Sequence, residues 1–273
     1  MTASVFDLVH KSDLSIGSTV NVKGVMTSTG WTGTSQAPAS MRIGTLNILS
    51  GGKVVNEYTQ GVYIRNFSSA GEFITVKNSR LYIANGDNQA LITLKEGSNI
   101  KTDGAASQAE SIIYLVNREL IEGNETKISA AQKGAVNAKV VLEANQKLGG
   151  FRVASSSTIE LALQGKSFEL GSIEDIDGGT NFSIIINDFA NGLFSVASDS
   201  KIVTEGNIYN IFTVYANIDG VKTQLGLTEN DLSWQTVGDR SYLYAQALVP
   251  EPAEWAAIFG AIALAFVAYR RRK

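Results

Sequence analysis

The 273-residue chain has no cysteine, three prolines and a single histidine. Without cysteine there are no disulfides, thiolate metal sites or cysteine nucleophiles. His10, alone near the N-terminus, argues against a histidine-based triad or a histidine metal site. Charged residues make up 18% and hydrophobic residues 44%, a balance that points to a folded chain rather than a disordered one. The net charge is −3, and the last four residues carry +4, which leaves −7 for residues 1–269. An acidic body argues against nucleic acid as a partner.

What is present is mostly strand signal. Thr19–Val25, Gly44–Leu49, Phe73–Val76, Arg80–Ile83 and Ala90–Leu94 alternate apolar with polar or glycine, the period-2 pattern of a half-buried strand. Between them lie Ser50-Gly51-Gly52, Asn85-Gly86-Asp87-Asn88 and Thr102-Asp103-Gly104, whose residues tolerate turn geometry. Phe151–Val153, Thr158–Leu163, Phe168–Leu170, Phe182–Asn187 and Leu193–Val196 resume the pattern. Residues 126–147 read as a loop with one helical turn, favoured by Ala130, Ala131, Ala135 and Ala138, followed by a strand at Lys139–Leu142.

Taking Leu46, Ile74, Ile92, Val140 and Ile159 as corresponding positions gives intervals of 28, 18, 48 and 19 residues. With the 48 read as two turns, units of 18 to 28 residues predict an all-β, right-handed parallel β-solenoid over residues 1–200. A β-sandwich would give similar strand content. Phe212–Ile218, Asp219-Gly220 and Val221–Thr223 form one predicted hairpin, and Leu232–Val237, Gly238-Asp239 and Arg240–Leu248 a second. These predict an antiparallel cap over residues 201–248 that covers the open solenoid end. The arrangement resembles, in a general way, the terminal part of autotransporter-like β-helix passengers.

The chain ends on a composite element. Pro250-Glu251-Pro252 holds two of the three prolines and excludes helix interior. Trp255–Tyr269 follows, fifteen residues without charge, and then Arg270, Arg271, Arg272 and Lys273. As a helix this run spans about 22 Å, against a hydrocarbon core of about 30 Å. The expectation is a short single transmembrane helix over 255–269, with Trp255 and Tyr269 at the two interfaces, the basic end in the cytoplasm and the body outside it. Ala253, Ala257, Ala261 and Ala265 recur every four residues beside Gly260. Such a stripe either admits a partner helix or simply keeps the segment weakly hydrophobic.

These three parts, in this order, resemble the PEP-CTERM sorting signal of Gram-negative, exopolysaccharide-forming bacteria. The resemblance covers about a tenth of the chain. It implies export, retention at the inner membrane, processing near Pro250-Glu251-Pro252 by a membrane-embedded exosortase, and a final place in the envelope, at the cell surface or in the extracellular matrix. The first residues, Met1-Thr-Ala-Ser-Val-Phe-Asp, lack a basic n-region and an apolar h-region. An upstream export signal is therefore expected.

Chemistry is sparse. Asp175-Ile176-Asp177-Gly178-Gly179 is the best calcium candidate, two carboxylates before glycine, yet it lacks the third ligand and the bidentate glutamate of an EF-hand loop. An acidic turn explains it as well. Parallel β-helices also carry polysaccharide lyases and glycoside hydrolases, which need clustered carboxylates, whereas the acids here are scattered singly. The reading is thus a structural or adhesive protein, with no catalytic residue, metal site or cofactor assigned. Exopolysaccharide is its expected partner, met through Thr/Ser/Asn-rich strand faces and exposed tyrosines. An exported polysaccharide-active enzyme is the alternative.

Overall fold

The computed structural model describes residues 2–10, 14–30, 41–57, 62–77, 79–84, 89–116, 135–218, 220–226, 228 and 231–246. They form an all-β solenoid of about six turns. Its strands stack in three columns of parallel pairs.

One column defines the repeat. Val20, Leu46, Phe67, Ile92, Val140, Leu161, Ile186 and Val214 are register partners from turn to turn. All are buried. A second column aligns Met41, Val62, Leu81, Ile113, Phe151 and Ile173. A third aligns Met26, Val54, Phe73 and Ile100, and further along the chain it aligns Leu148, Leu170 and Val196. Alternation within each strand sends one set of side chains inward, so the columns enclose a single continuous core.

Corners require close backbone approach. A methyl at Gly71 would run into the carbonyl of Gly52 on the preceding turn, so the chain can bend there only without a side chain. Within the third column a polar step is also buried. Ser28, Asn56 and Thr75 follow one another in register. Asn56 Nδ2 donates to Ser79 Oγ at 2.7 Å, and Thr75 Oγ1 donates to the Ser79 carbonyl at 2.6 Å.

The far end changes direction. Phe212–Ile218 still pairs in parallel with Phe182–Asn187, but it turns into an antiparallel hairpin with Val221–Leu225. Leu232–Val237 and Arg240–Ala245 form the second hairpin, and Arg240–Ala245 closes antiparallel on Phe194–Ala197. Arg240 fastens this closure by donating to the Leu170 carbonyl at 2.8 Å and to the carbonyl and hydroxyl of Ser195 at 3.0 and 2.8 Å.

Four expectations are corrected. The 48-residue interval is one turn rather than two, because Ile92 and Val140 pair directly. A long excursion on one turn does not disturb the register of the strands on either side of it. Ile74 belongs to the third column, between Val55 and Lys101, and Phe67 stands beside Leu46 and Ile92 in its place; Ile159 lies in the same column as Val140 but two residues out of register, opposite Ala138, with Leu161 opposite Val140. Two helical turns, Lys201–Thr204 and Ile208–Ile211, precede the cap. Finally, the expected transmembrane helix is not supported. Among the described residues no helix is long and apolar enough to cross a membrane. The run 255–269 lies outside them, and at fifteen residues it falls short of the roughly 20 that a span requires.

Candidate functional site

The outward side chains carry whatever recognition the solenoid performs. On the column of Val20 and Leu46 they form a shallow cavity of about 470 Å³. Asn66, Leu91, Lys139, Glu160 and Ile185 are successive register partners along its floor. Gln89, Asn137 and Thr158 form a parallel file two residues earlier in each strand. Each position is outward because the strand period is two and its neighbours Ile92, Val140 and Leu161 point into the core.

The cavity is close to electrically neutral. Lys139 Nζ lies 2.9 Å from Glu160 Oε1, and Asn187 Nδ2 donates to the same carboxylate oxygen at 3.0 Å. Asn66 accepts a hydrogen bond from the Leu91 amide at 3.3 Å. Leu91 is 42% exposed, and with Ala90, Ala138 and Ile185 it supplies the apolar part of a lining whose amides are Asn66, Gln89 and Asn137. Gln89 and Asn137 are also exposed.

Elsewhere, acids meet bases one by one. Lys53 pairs with Glu72 at 3.1 Å, Lys95 with Glu143 at 3.5 Å, Lys147 with Glu169 at 3.5 Å, and Arg152 with Glu174. Each of these pairs, like Lys139–Glu160, places its base one turn before its acid. The Lys53 hydrogen bond holds the Glu72 carboxyl below its ordinary range, against the opposing effect of burial.

Three tyrosines form a file of their own. Tyr63, Tyr82 and Tyr114 are register partners on the outer side of the second column. Tyr63 and Tyr82 stack at 4.9 Å, and Tyr82 and Tyr114 lie 5.1 Å apart. Tyr63 is 0% and Tyr82 4% exposed, so these two are not among the exposed tyrosines that would meet a sugar polymer. The Arg80 guanidinium sits 5.0 Å from the Tyr114 ring centre. Burial pushes the Tyr114 hydroxyl above its ordinary range, more strongly than neighbouring Arg80 pulls it down.

The Asp175 turn is brought together, but as a turn. The Asp175 carboxylate is buried and accepts from the backbone amides of Asp177 at 2.9 Å, Gly179 at 2.8 Å and Asn181 at 3.3 Å. Lys201 Nζ adds a hydrogen bond to the Gly178 carbonyl at 2.7 Å. Among the described residues there is no group of three or more His, Asp or Glu side chains placed to hold a metal ion. His10 lies in the strand Thr2–His10.

The residues of the terminal element, Pro250, Glu251, Pro252, Trp255, Gly260, Ala261, Tyr269, Arg270, Arg271, Arg272 and Lys273, lie outside the described residues. What is described is the point from which they depart. Gln246 donates its amide to the Asp231 carbonyl at 2.8 Å, and the preceding strand is closed on Phe194–Ala197.

Fold and surface together define a capped parallel β-solenoid with a lateral cavity lined by three amides, a hydroxyl, one ion pair and apolar side chains. No family model matches the chain, and neither the curated proteins nor the solved structures searched give a match.

Proposed function

We propose that the protein is an exported structural or adhesive component of the cell envelope or extracellular matrix, carrying a C-terminal signal read by an exosortase. The observation that carries this reading is the ordered succession of Pro250-Glu251-Pro252, the uncharged run 255–269 and the basic end 270–273. It resembles the PEP-CTERM signal in all three parts. The fold is in keeping with such a role: a solenoid secured by register, ion pairs and an antiparallel cap needs no disulfide to withstand an exposed setting. Its last described strand is anchored immediately before the signal, so that Pro250-Glu251-Pro252 follows a fixed point after a few residues.

Mass spectrometry of the mature C-terminus from producing cells tests the proposal. Loss of the residues that follow Pro250-Glu251-Pro252, together with recovery of the body outside the cytoplasm, is expected. An intact Lys273 on protein from the cytoplasmic fraction overturns it.

A further inference from the structure

We infer that the lateral cavity binds a neutral polysaccharide chain lying along the solenoid axis. The inference extends the matrix-associated reading above by naming the ligand class and its site. It concerns the body, whereas that reading rests on the terminal signal.

The cavity's chemistry narrows the ligand. Its floor runs Asn66, Leu91, Lys139, Glu160 and Ile185 over five turns. At about 4.8 Å per step this is a track of about 19 Å, which suits a polymer better than a single small molecule. The one cation and the one acid on that track neutralise each other at 2.9 Å, so no uncompensated charge remains to hold a polyanion, whose binding depends on phosphate-like contacts with free cations.

Aromatic side chains are absent from the lining, and single-stranded nucleic acid depends on them for base stacking. The cavity lies on a sheet face, where the backbone groups are already paired, between turns or, at the Leu91 amide, with the Asn66 side chain, so an extended peptide cannot add to it as a strand. Amide groups at Gln89 and Asn137 and the Thr158 hydroxyl offer both donors and acceptors, while the Asn66 amide is already bonded to the Leu91 amide and to the Thr45 hydroxyl. Leu91 and Ile185 offer apolar contact between them. Hydroxyl groups on one edge and C–H faces on the other are what a neutral sugar chain presents to such a surface.

The test is native electrophoresis of the full chain through gels containing dextran, a neutral β-glucan, the neutral polysaccharide fraction of the producing cells' own matrix, or alginate as a polyanion. Retardation in at least one neutral gel, unchanged at high salt, is expected. Gln89→Ala combined with Asn137→Ala is expected to weaken it about tenfold, as two neutral hydrogen bonds are lost. Asn137→Trp, which fills the cavity from an exposed position, is expected to abolish it while far-UV circular dichroism and the melting temperature stay unchanged. If a variant fails to fold, Leu91→Asn serves the same comparison.

No retardation in any neutral gel overturns the inference, and so does retardation that none of these variants alters. Salt-sensitive retardation in alginate alone assigns the surface to a polyanion. A concentration-dependent dimer abolished by Asn137→Trp assigns it to a second copy. Either result replaces the inference. Failure here with the C-terminus still processed leaves the sorting proposal standing, and the reverse outcome leaves the glycan site standing.

Discussion

Asn191 and Ala245 hold each other by two hydrogen bonds: the Ala245 amide donates to Asn191 Oδ1 at 2.8 Å, and Asn191 Nδ2 donates to the Ala245 carbonyl at 3.2 Å. A side-chain amide here does what a neighbouring strand does elsewhere, satisfying both backbone groups of the last residue in Arg240–Ala245. The segment that carries the terminal element is thus tied to a loop some fifty residues earlier. Asn191→Ala removes both partners and is expected to cost about 1–3 kcal/mol. Hydrogen exchange should show faster exchange of the Ala245 amide, with Leu161 and Ile186 unaffected. Unchanged protection of Ala245 would count against the tie.

The depressed Glu72 carboxyl gives a pH dependence with a definite sign. Its folded pKa lies below the ordinary value of 4.5, so its stabilising contribution is fully present above that value. It is lost as pH falls through the folded pKa. Both partners are 39% exposed, so solvent screening limits the pair to about 0.2–1 kcal/mol. Lys53→Met should therefore lower stability at neutral pH by that amount, with the difference from the parent protein shrinking once the solution is acidified below pH 4.5. A gap that widens on acidification would contradict the assignment.

Two glycines separate close approach from backbone conformation. Gly71→Ala forces a methyl against the Gly52 carbonyl, the Leu49 carbonyl and the Ile48 side chain. It is expected to cost about 3 kcal/mol, at the upper end of overpacking. Gly51→Ala meets nothing within 4 Å and is strained only by its φ of +75°. That costs about 1–2 kcal/mol. Denaturant titration of the two variants should rank them in this order.

Removing metal should have no effect at the Asp175 turn, because three backbone amides already occupy its carboxylate. A chelator is expected to leave the melting temperature unchanged. Asp175→Ala, by contrast, strands those buried donors and should destabilise the protein by about 2–3 kcal/mol. A chelator-induced drop in melting temperature that Asp175→Ala abolishes would restore calcium to this site.

Strand-scale features were legible before the structure was. Alternation marked Thr19–Val25 and Ala90–Leu94, and Asp219-Gly220 and Gly238-Asp239 marked the two hairpins, because period and turn chemistry are local properties. Relations between turns were less legible. Nothing local shows that Ile92 meets Val140 across 48 residues, since a turn of any length returns to the same register. The same limitation hid the cavity: Gln89, Asn137 and Thr158 become one surface only once the turns are aligned. Burial is likewise not a local property: Tyr63 and Tyr82 take outward positions in the register and are nevertheless buried.

The order of base and acid across the turns has a further consequence. In Lys53–Glu72, Lys95–Glu143, Lys139–Glu160, Lys147–Glu169 and Arg152–Glu174 the positive partner always comes first along the axis. These five small dipoles add rather than cancel along the solenoid axis. Copies laid side by side in the same sense repel through this term, while copies laid in opposite senses attract.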